Sequence, residues 1–181
     1  MIRIIIVNMI LLEDLRLVKK GGVKMEENVL MGLFVAFFAF FVFLFIVAII
    51  LFFFQAIGLF KIAKREGKGD IAWLAWIPII NVFLMTLLVE NDVHPSVRGK
   101  YTLWYGIAFV VSIILSSFVP FVSFIPMAMF YYAFYFLAKR YSDKAVLHLV
   151  IGIITFGFAI PIQIFMFRNR ETINSPEEIV M

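Results

Sequence analysis

The chain contains no cysteine, which excludes disulfides, thiolate metal sites and cysteine nucleophiles. It is also poor in charge: 15% of its 181 residues are Asp, Glu, Lys or Arg, against about 25% in a soluble domain. Those charges avoid four stretches entirely, Leu30–Phe60, Ile71–Val89, Leu103–Leu137 and Ala145–Phe167. Catalytic signatures are missing too. Gly67-Lys68-Gly69 lacks the flanking pattern of a phosphate-binding loop, and there is neither a paired-histidine metal motif nor a Gly-x-Ser-x-Gly elbow. No membrane carboxylates cluster to drive a pump. The expectation is therefore a non-enzyme with no catalytic residue, no metal and no cofactor.

What fills the chain instead is apolar: 64% of the residues are hydrophobic and 23 are phenylalanine. Such a composition suits lipid-facing helices better than a small aqueous core. It predicts an all-α integral membrane helical bundle with four or five membrane-embedded helices, a multi-pass protein of the cell membrane. Run one, Leu30–Phe60, is apolar on every face and exceeds the roughly 20 residues a span needs. Run two, Ile71–Val89, opens with Trp73 and Trp76 and is interrupted by Pro78, so it either crosses or dips in and returns. Run three, Leu103–Leu137, is too long for one straight span. Its centre, Ser116-Ser117-Phe118-Val119-Pro120-Phe121-Val122-Ser123-Phe124-Ile125-Pro126, reads as the turn of a Pro-containing helical hairpin, with a kinked single span as the alternative. Run four, Ala145–Phe167, reads as one span.

The two ends differ from the middle. Lys19-Lys20-Gly21-Gly22 is what a purine-rich ribosome-binding site yields when translated, and Met25 follows at a normal start distance. Residues 1–24 are therefore expected to be a mis-annotated or disordered leader, 25–170 the membrane domain and 171–181 a polar tail. The net charge of +4 falls to +1 without the leader, because five of the 16 basic and two of the 12 acidic residues lie in it. Nucleic acid is then not an expected partner.

Cytoplasmic loops are enriched in Lys and Arg, and Lys61, Lys64, Arg65 and Lys68 make the strongest such loop, a candidate contact surface for lipid headgroups or a cytosolic protein. Of the 11 basic residues after Met25, five crossings place 6 inside and four crossings with run three as one span place 7. Four crossings with run two re-entrant and run three a hairpin place 9. Phe60-Lys61-Ile62-Ala63-Lys64-Arg65 also resembles Phe136-Leu137-Ala138-Lys139-Arg140, each closing one run shortly before the next. A duplication with both copies on one face needs an even number of crossings between them.

Polar groups inside a membrane are functional candidates. Asn81 lies one turn after Pro78, where its amide can satisfy backbone freed by the proline or line a small-ligand site. His148 sits in the first turn of run four, near Lys144, and is a candidate proton-responsive group because histidine is the side-chain type whose charge changes near neutral pH. Pro78, Asn81 and His148 form the candidate intramembrane polar site, while Gln55 and Gln163 sit near span ends. Glu90-Asn91-Asp92-Val93-His94 carries two carboxylates and an imidazole, a weak metal pattern read as a solvated loop.

The segment Ala63-Lys64-Arg65-Glu66-Gly67 followed by Ala72-Trp73-Leu74-Ala75-Trp76-Ile77-Pro78-Ile79-Ile80-Asn81 resembles an uncharacterised family of small multi-pass membrane proteins of Gram-positive bacteria. The Pro-containing hairpin, Tyr141-Ser142 and the closing Phe167-Arg168-Asn169-Arg170 are similar as well. The resemblance covers about 54–170 and implies a bacterial cytoplasmic membrane, but no activity. The functional expectation is a non-catalytic accessory, stress or immunity factor that acts through membrane lipid or through a membrane or cytosolic protein partner. The alternative is a small transporter or channel, with Asn81, His148 and the serines near Ser116 lining one cavity.

Overall fold

A computed structural model describes the backbone of residues 2–173 and the side chains of residues 9–19 and 28–173. Among them there is no strand. In chain order come α1 (Ile2–Arg65), a 3-10 helix Ala72–Trp76, α2 (Ile80–Leu88), α3 (Tyr101–Leu115), a 3-10 helix Pro120–Ser123, α4 (Phe124–Tyr141), α5 (Ala145–Ile154) and α6 (Ala159–Phe167). The chain divides into a unit Met1–Ala48 and a unit Ile49–Met181. The expected leader, from Ile2 on, is part of α1. The tail segment Ser175-Pro176-Glu177-Glu178 lies outside the described residues.

Two helical segments, Asn28–Arg65 and Pro120–Tyr141, are long and apolar enough to cross a membrane. The first contains run one without a break, since nothing between Leu30 and Phe60 caps or interrupts it. Phe34, Phe37, Phe38 and Phe45 are all exposed, as a helix apolar on every side requires when no aqueous core is built around it.

In the second unit, three of the apolar stretches fold back on themselves. Run three does so at Ser116–Val119. Ser112 Oγ donates to the Val122 carbonyl at 2.9 Å, and Tyr101 OH, at the start of α3, donates to the Met129 carbonyl at 2.5 Å. These bonds pair the end of α3 with the 3-10 helix before α4, and its start with Met129 in the second turn of α4.

Run two is not a continuous helix. Pro78 has no N–H and cannot extend the 3-10 helix as an α-helix, and Ile79 turns the chain at φ 70°. The run then returns: Lys68 Nζ, ahead of it, donates to the carbonyl of Leu87, near its end, at 2.6 Å. Trp76 packs edge-on to Phe53 and Phe60 of α1, and Phe83 to Tyr105 and Phe109 of α3.

Run four, expected as one span, is instead a hairpin of two short helices. Its turn is a Schellman motif, with Phe156 N–H bonded to the Ile153 carbonyl and Gly157 N–H to the Gly152 carbonyl. Phe156 and Gly157 have φ 51° and 88°. Pro161 falls in the first turn of α6, the one place in a helix where its missing N–H costs nothing. α5 and α6 meet at Gly152, where a Cβ would come within 3.1 Å of Ile160. His148, near the start of α5, meets Gln163 and Phe167, near the end of α6. A single Gly in an apolar run is ordinarily tolerated within a helix, so the break leaves little trace in the sequence.

The core of this unit gathers toward one end of the helices. Leu59, Ile62, Leu88, Leu137, Tyr141 and Phe167 are fully or almost fully buried, whereas Ile114, Phe118 and Phe121 at the other end are exposed.

Candidate functional site

The core end of the second unit is also its charged end. α1 stops at Arg65 and α4 at Tyr141, and the loops after α2 and α6 arrive beside them. Arg140 is the centre of the cluster. Its guanidinium pairs with Glu66, which follows α1, and with Asp92, which follows α2, and it donates to the Leu88 carbonyl at 3.0 Å. Tyr141 OH donates to Glu66 Oε1 at 2.5 Å, and the Tyr141 ring stacks on Phe167. The Arg65 guanidinium lies over the Tyr141 ring and donates to the Phe167 carbonyl at 3.4 Å. Ile173 N–H, beyond α6, donates to the Arg140 carbonyl at 2.9 Å. One cluster therefore ties together α1, the loop after run two, α4 and the chain leaving α6.

Its electrostatics follow from burial. Asp92 is 0% exposed, and burial pushes its carboxyl above the ordinary carboxylate range even though Arg140 pulls it down. Only one carboxylate oxygen is engaged by Arg140; Oδ1 and the Arg140 Nε are buried without a protein partner. Burial likewise pulls the Lys68 ammonium below its usual value, with Glu66 opposing it. Arg140 is the bidentate, permanently charged cation that such a site requires, because its planar fork can reach two carboxylates at once.

The residues singled out from sequence are dispersed. Asn81 is buried at the start of α2, in the turn of run two, while Pro78 beside it is exposed. His148 Nδ1 is 2.6 Å from Gln163 Oε1, within the α5–α6 hairpin. Neither Asn81 nor His148 lines the apolar groove of about 640 Å³ along α4 and α5, which includes Tyr131, Tyr135 and Leu149. They are likewise absent from the pocket of about 240 Å³ formed by Ser112, Ser116, Ser123 and their neighbours. Of the candidate contact loop, Lys61, Lys64 and Arg65 are exposed. Lys64 lies over Phe60, Arg65 is drawn onto Tyr141 and Lys68 onto Leu87.

The loop Glu90–His94 is not the solvated loop that its composition suggests, because Asp92 turns inward to Arg140. Glu90 Oε1 accepts from Thr102 N–H at 3.3 Å. Among the described residues no group of three or more His, Cys, Asp or Glu could hold a metal ion. The Arg140 cluster itself was not foreseen. Its one trace in the sequence is the paired Ala-Lys-Arg: Arg65 and Arg140 hold equivalent places, but only Arg140 is buried. The chain matches no protein-family model, no curated protein and no solved structure.

Proposed function

We propose that this chain is a multi-pass protein of a bacterial cytoplasmic membrane, with α1, α3 and α4 as crossings and two hairpins, run two and run four, that enter from one face and leave by the same face. It is a non-catalytic contact protein whose charged face meets anionic lipid headgroups and proteins docked at that surface. One observation carries this reading: both ends of each hairpin lie at the charged end of the second unit. In that topology every one of the 11 lysines and arginines of residues 49–181 falls on a single face. Topologies with run four as a span place at most 9 there. The positive-inside bias is then complete.

Lengths support the same reading. α2, α5 and α6 have 9, 10 and 9 residues, or about 14–15 Å each at 1.5 Å per residue, half of the roughly 30 Å hydrocarbon core. α3 and α4, of 15 and 18 residues, extend about 22–27 Å. Both are somewhat shorter than that core, so the Ser116–Ser123 turn between them lies at its far edge. The paired Ala-Lys-Arg segments, each followed by a folded-back run, share one face with two crossings between them. A transport site at Asn81 and His148 draws no support from the groove along α4 and α5 or from the Ser112–Ser123 pocket, neither of which includes either residue.

The test measures lipid selectivity at the charged face. In reconstituted protein, spin-labelled phosphatidylglycerol is expected to be immobilised more than spin-labelled phosphatidylcholine, with the difference reduced by salt. Replacing Lys61, Lys64, Arg98 and Lys100 by Gln should weaken it. Equal immobilisation of the two lipids at low salt would contradict the proposal.

A further inference from the structure

We infer that the second unit is a one-leaflet wedge, and that its preferred partner is a strongly curved bilayer, convex on the side of the charged face. This inference rests on the topology proposed above and adds a consequence for the lipid around it.

At the charged end, residues 49–173 present seven helical segments: the end of α1, both arms of run two, α3, α4, α5 and α6. At the far end only α1, α3 and α4 continue. Side-chain contacts give the depth of the turns. The Phe156–Gly157 turn follows α5, whose 10 residues extend about 15 Å from the charged end, and it comes within a side chain's reach of Tyr131, whose hydroxyl would be 3.6 Å from a Cβ on Gly157. Tyr131 is ten residues before the end of α4, about 15 Å along its axis. Trp76, just before the other turn, packs between Phe53 and Phe60, some 8–18 Å from the end of α1. Both turns thus stop near the middle of a bilayer, and four segments occupy one leaflet without reaching the other. With a helix about 10 Å across, each adds on the order of 80 Å² to one leaflet alone.

The run-four turn is built to exist there. Within hydrocarbon each unsatisfied backbone group costs several kcal/mol, and all six successive N–H groups of this turn are satisfied locally. Thr155, Phe156, Gly157, Phe158 and Ile160 donate to carbonyls of the same hairpin, and Ala159 N–H donates to Thr155 Oγ1 at 3.2 Å. Thr155 Oγ1 itself donates to the Ile151 carbonyl at 2.8 Å. The most exposed side chains at both tips are apolar, with Phe156 88%, Ile154 71% and Ile79 61% exposed. A tip of this kind in water would present a large apolar surface and a backbone closed to water. Most of the core and the buried Asp92, Arg140 and Ser142 lie in the wide half, so that half is the rigid one. A rigid protein wider in one leaflet expands that leaflet, and a bilayer already curved toward it accommodates the protein with less strain.

Two measurements on the full chain test the inference. A nitroxide on Phe156→Cys, in a protein with no other cysteine, reports depth through its relative exposure to oxygen and to a water-soluble nickel complex. Fluorescently labelled protein, inserted with the charged face outward as verified by an impermeant reagent on Asp143→Cys, is counted per unit membrane area on vesicles of mixed diameter. The expected result is a label at mid-bilayer depth and a several-fold higher protein density on the smallest vesicles than on the largest. Mid-bilayer depth with equal density on all vesicles overturns the wedge and leaves the topology standing. A Phe156 label open to the nickel complex overturns both.

Discussion

Replacing Arg140 by Met should be the most damaging single change in the second unit. The substitution keeps an unbranched side chain of similar length but removes the cation from between Glu66 and Asp92 and a donor from the Leu88 carbonyl. Asp92, with 0% exposure and its other oxygen already unpartnered, becomes an uncompensated buried charge. Breaking a buried pair from one side costs about 3–5 kcal/mol. For a chain of this size that is a fall in melting temperature on the order of 10 °C. Removing the carboxylates together with the cation, as Arg140→Met with Glu66→Gln and Asp92→Asn, leaves no unpaired charge, and that triple variant should recover most of the loss. The coupling between the sites then greatly exceeds the few tenths of a kcal/mol expected of independent positions. Melting of the detergent-solubilised protein, followed by circular dichroism, measures all three. A triple variant no more stable than Arg140→Met, or a single variant that melts with the wild type, would refute the reasoning.

Acid should partly rescue Arg140→Met. The folded-state pKa of Asp92 is raised above its unfolded value by burial, so the folded form binds more protons between the two values. Stability is then greatest below the unfolded pKa and falls as pH rises through the folded one; loss of Arg140 widens that window. A melting temperature of the variant that rises as pH falls from 7 toward 5, relative to wild type, is the expected outcome, and a parallel pH dependence would contradict it. Gly58→Ala should cost about 1–3 kcal/mol by overpacking, because its Cβ would meet the Ile164 backbone at 2.9 Å. Gly106→Ala, which meets only the Phe83 ring at 3.4 Å, should stay within about 1 kcal/mol in the same melting assay. Thr155→Val removes the acceptor of Ala159 N–H inside an apolar turn and should cost about 1–3 kcal/mol. Phe156→Gly relieves a positive φ and should be neutral or stabilising by up to about 1 kcal/mol in detergent. Similar melting of the Thr155 variant and wild type would remove the argument for a turn adapted to hydrocarbon.

The helical class and the apolar runs were legible because they follow from composition and run length alone. So was the turn in run three, where two prolines and three serines interrupt an otherwise apolar stretch. Run four was misleading for a physical reason. A Schellman turn needs one left-handed residue, ordinarily glycine, and here Phe156 takes that place with Gly157 after it, so the pattern resembles an uninterrupted span. Pro161 was visible, but only the position of the break shows that it belongs to a first turn. The Arg140 cluster joins positions 48 and 74 residues apart through chain reversals that local patterning does not encode. Asp92 looked solvated because its neighbours Glu90, Asn91 and His94 are polar, whereas its own surroundings are set by α2 and α4. Lys68 and Arg65 belong to the same lesson. Charge alone suggests a membrane face for them, whereas the fold commits them to Leu87, Tyr141 and Phe167.

The topology of run four is the point on which the account turns. It is tested most directly by single cysteines at Asp143, Asn169 and Arg98, each exposed and each in a chain with no native cysteine. Intact cells are labelled with a membrane-impermeant thiol reagent before and after lysis. Protection of all three positions in intact cells, with labelling after lysis, is the predicted result. Labelling of Asn169→Cys in intact cells while Asp143→Cys stays protected would make run four a crossing and contradict the account.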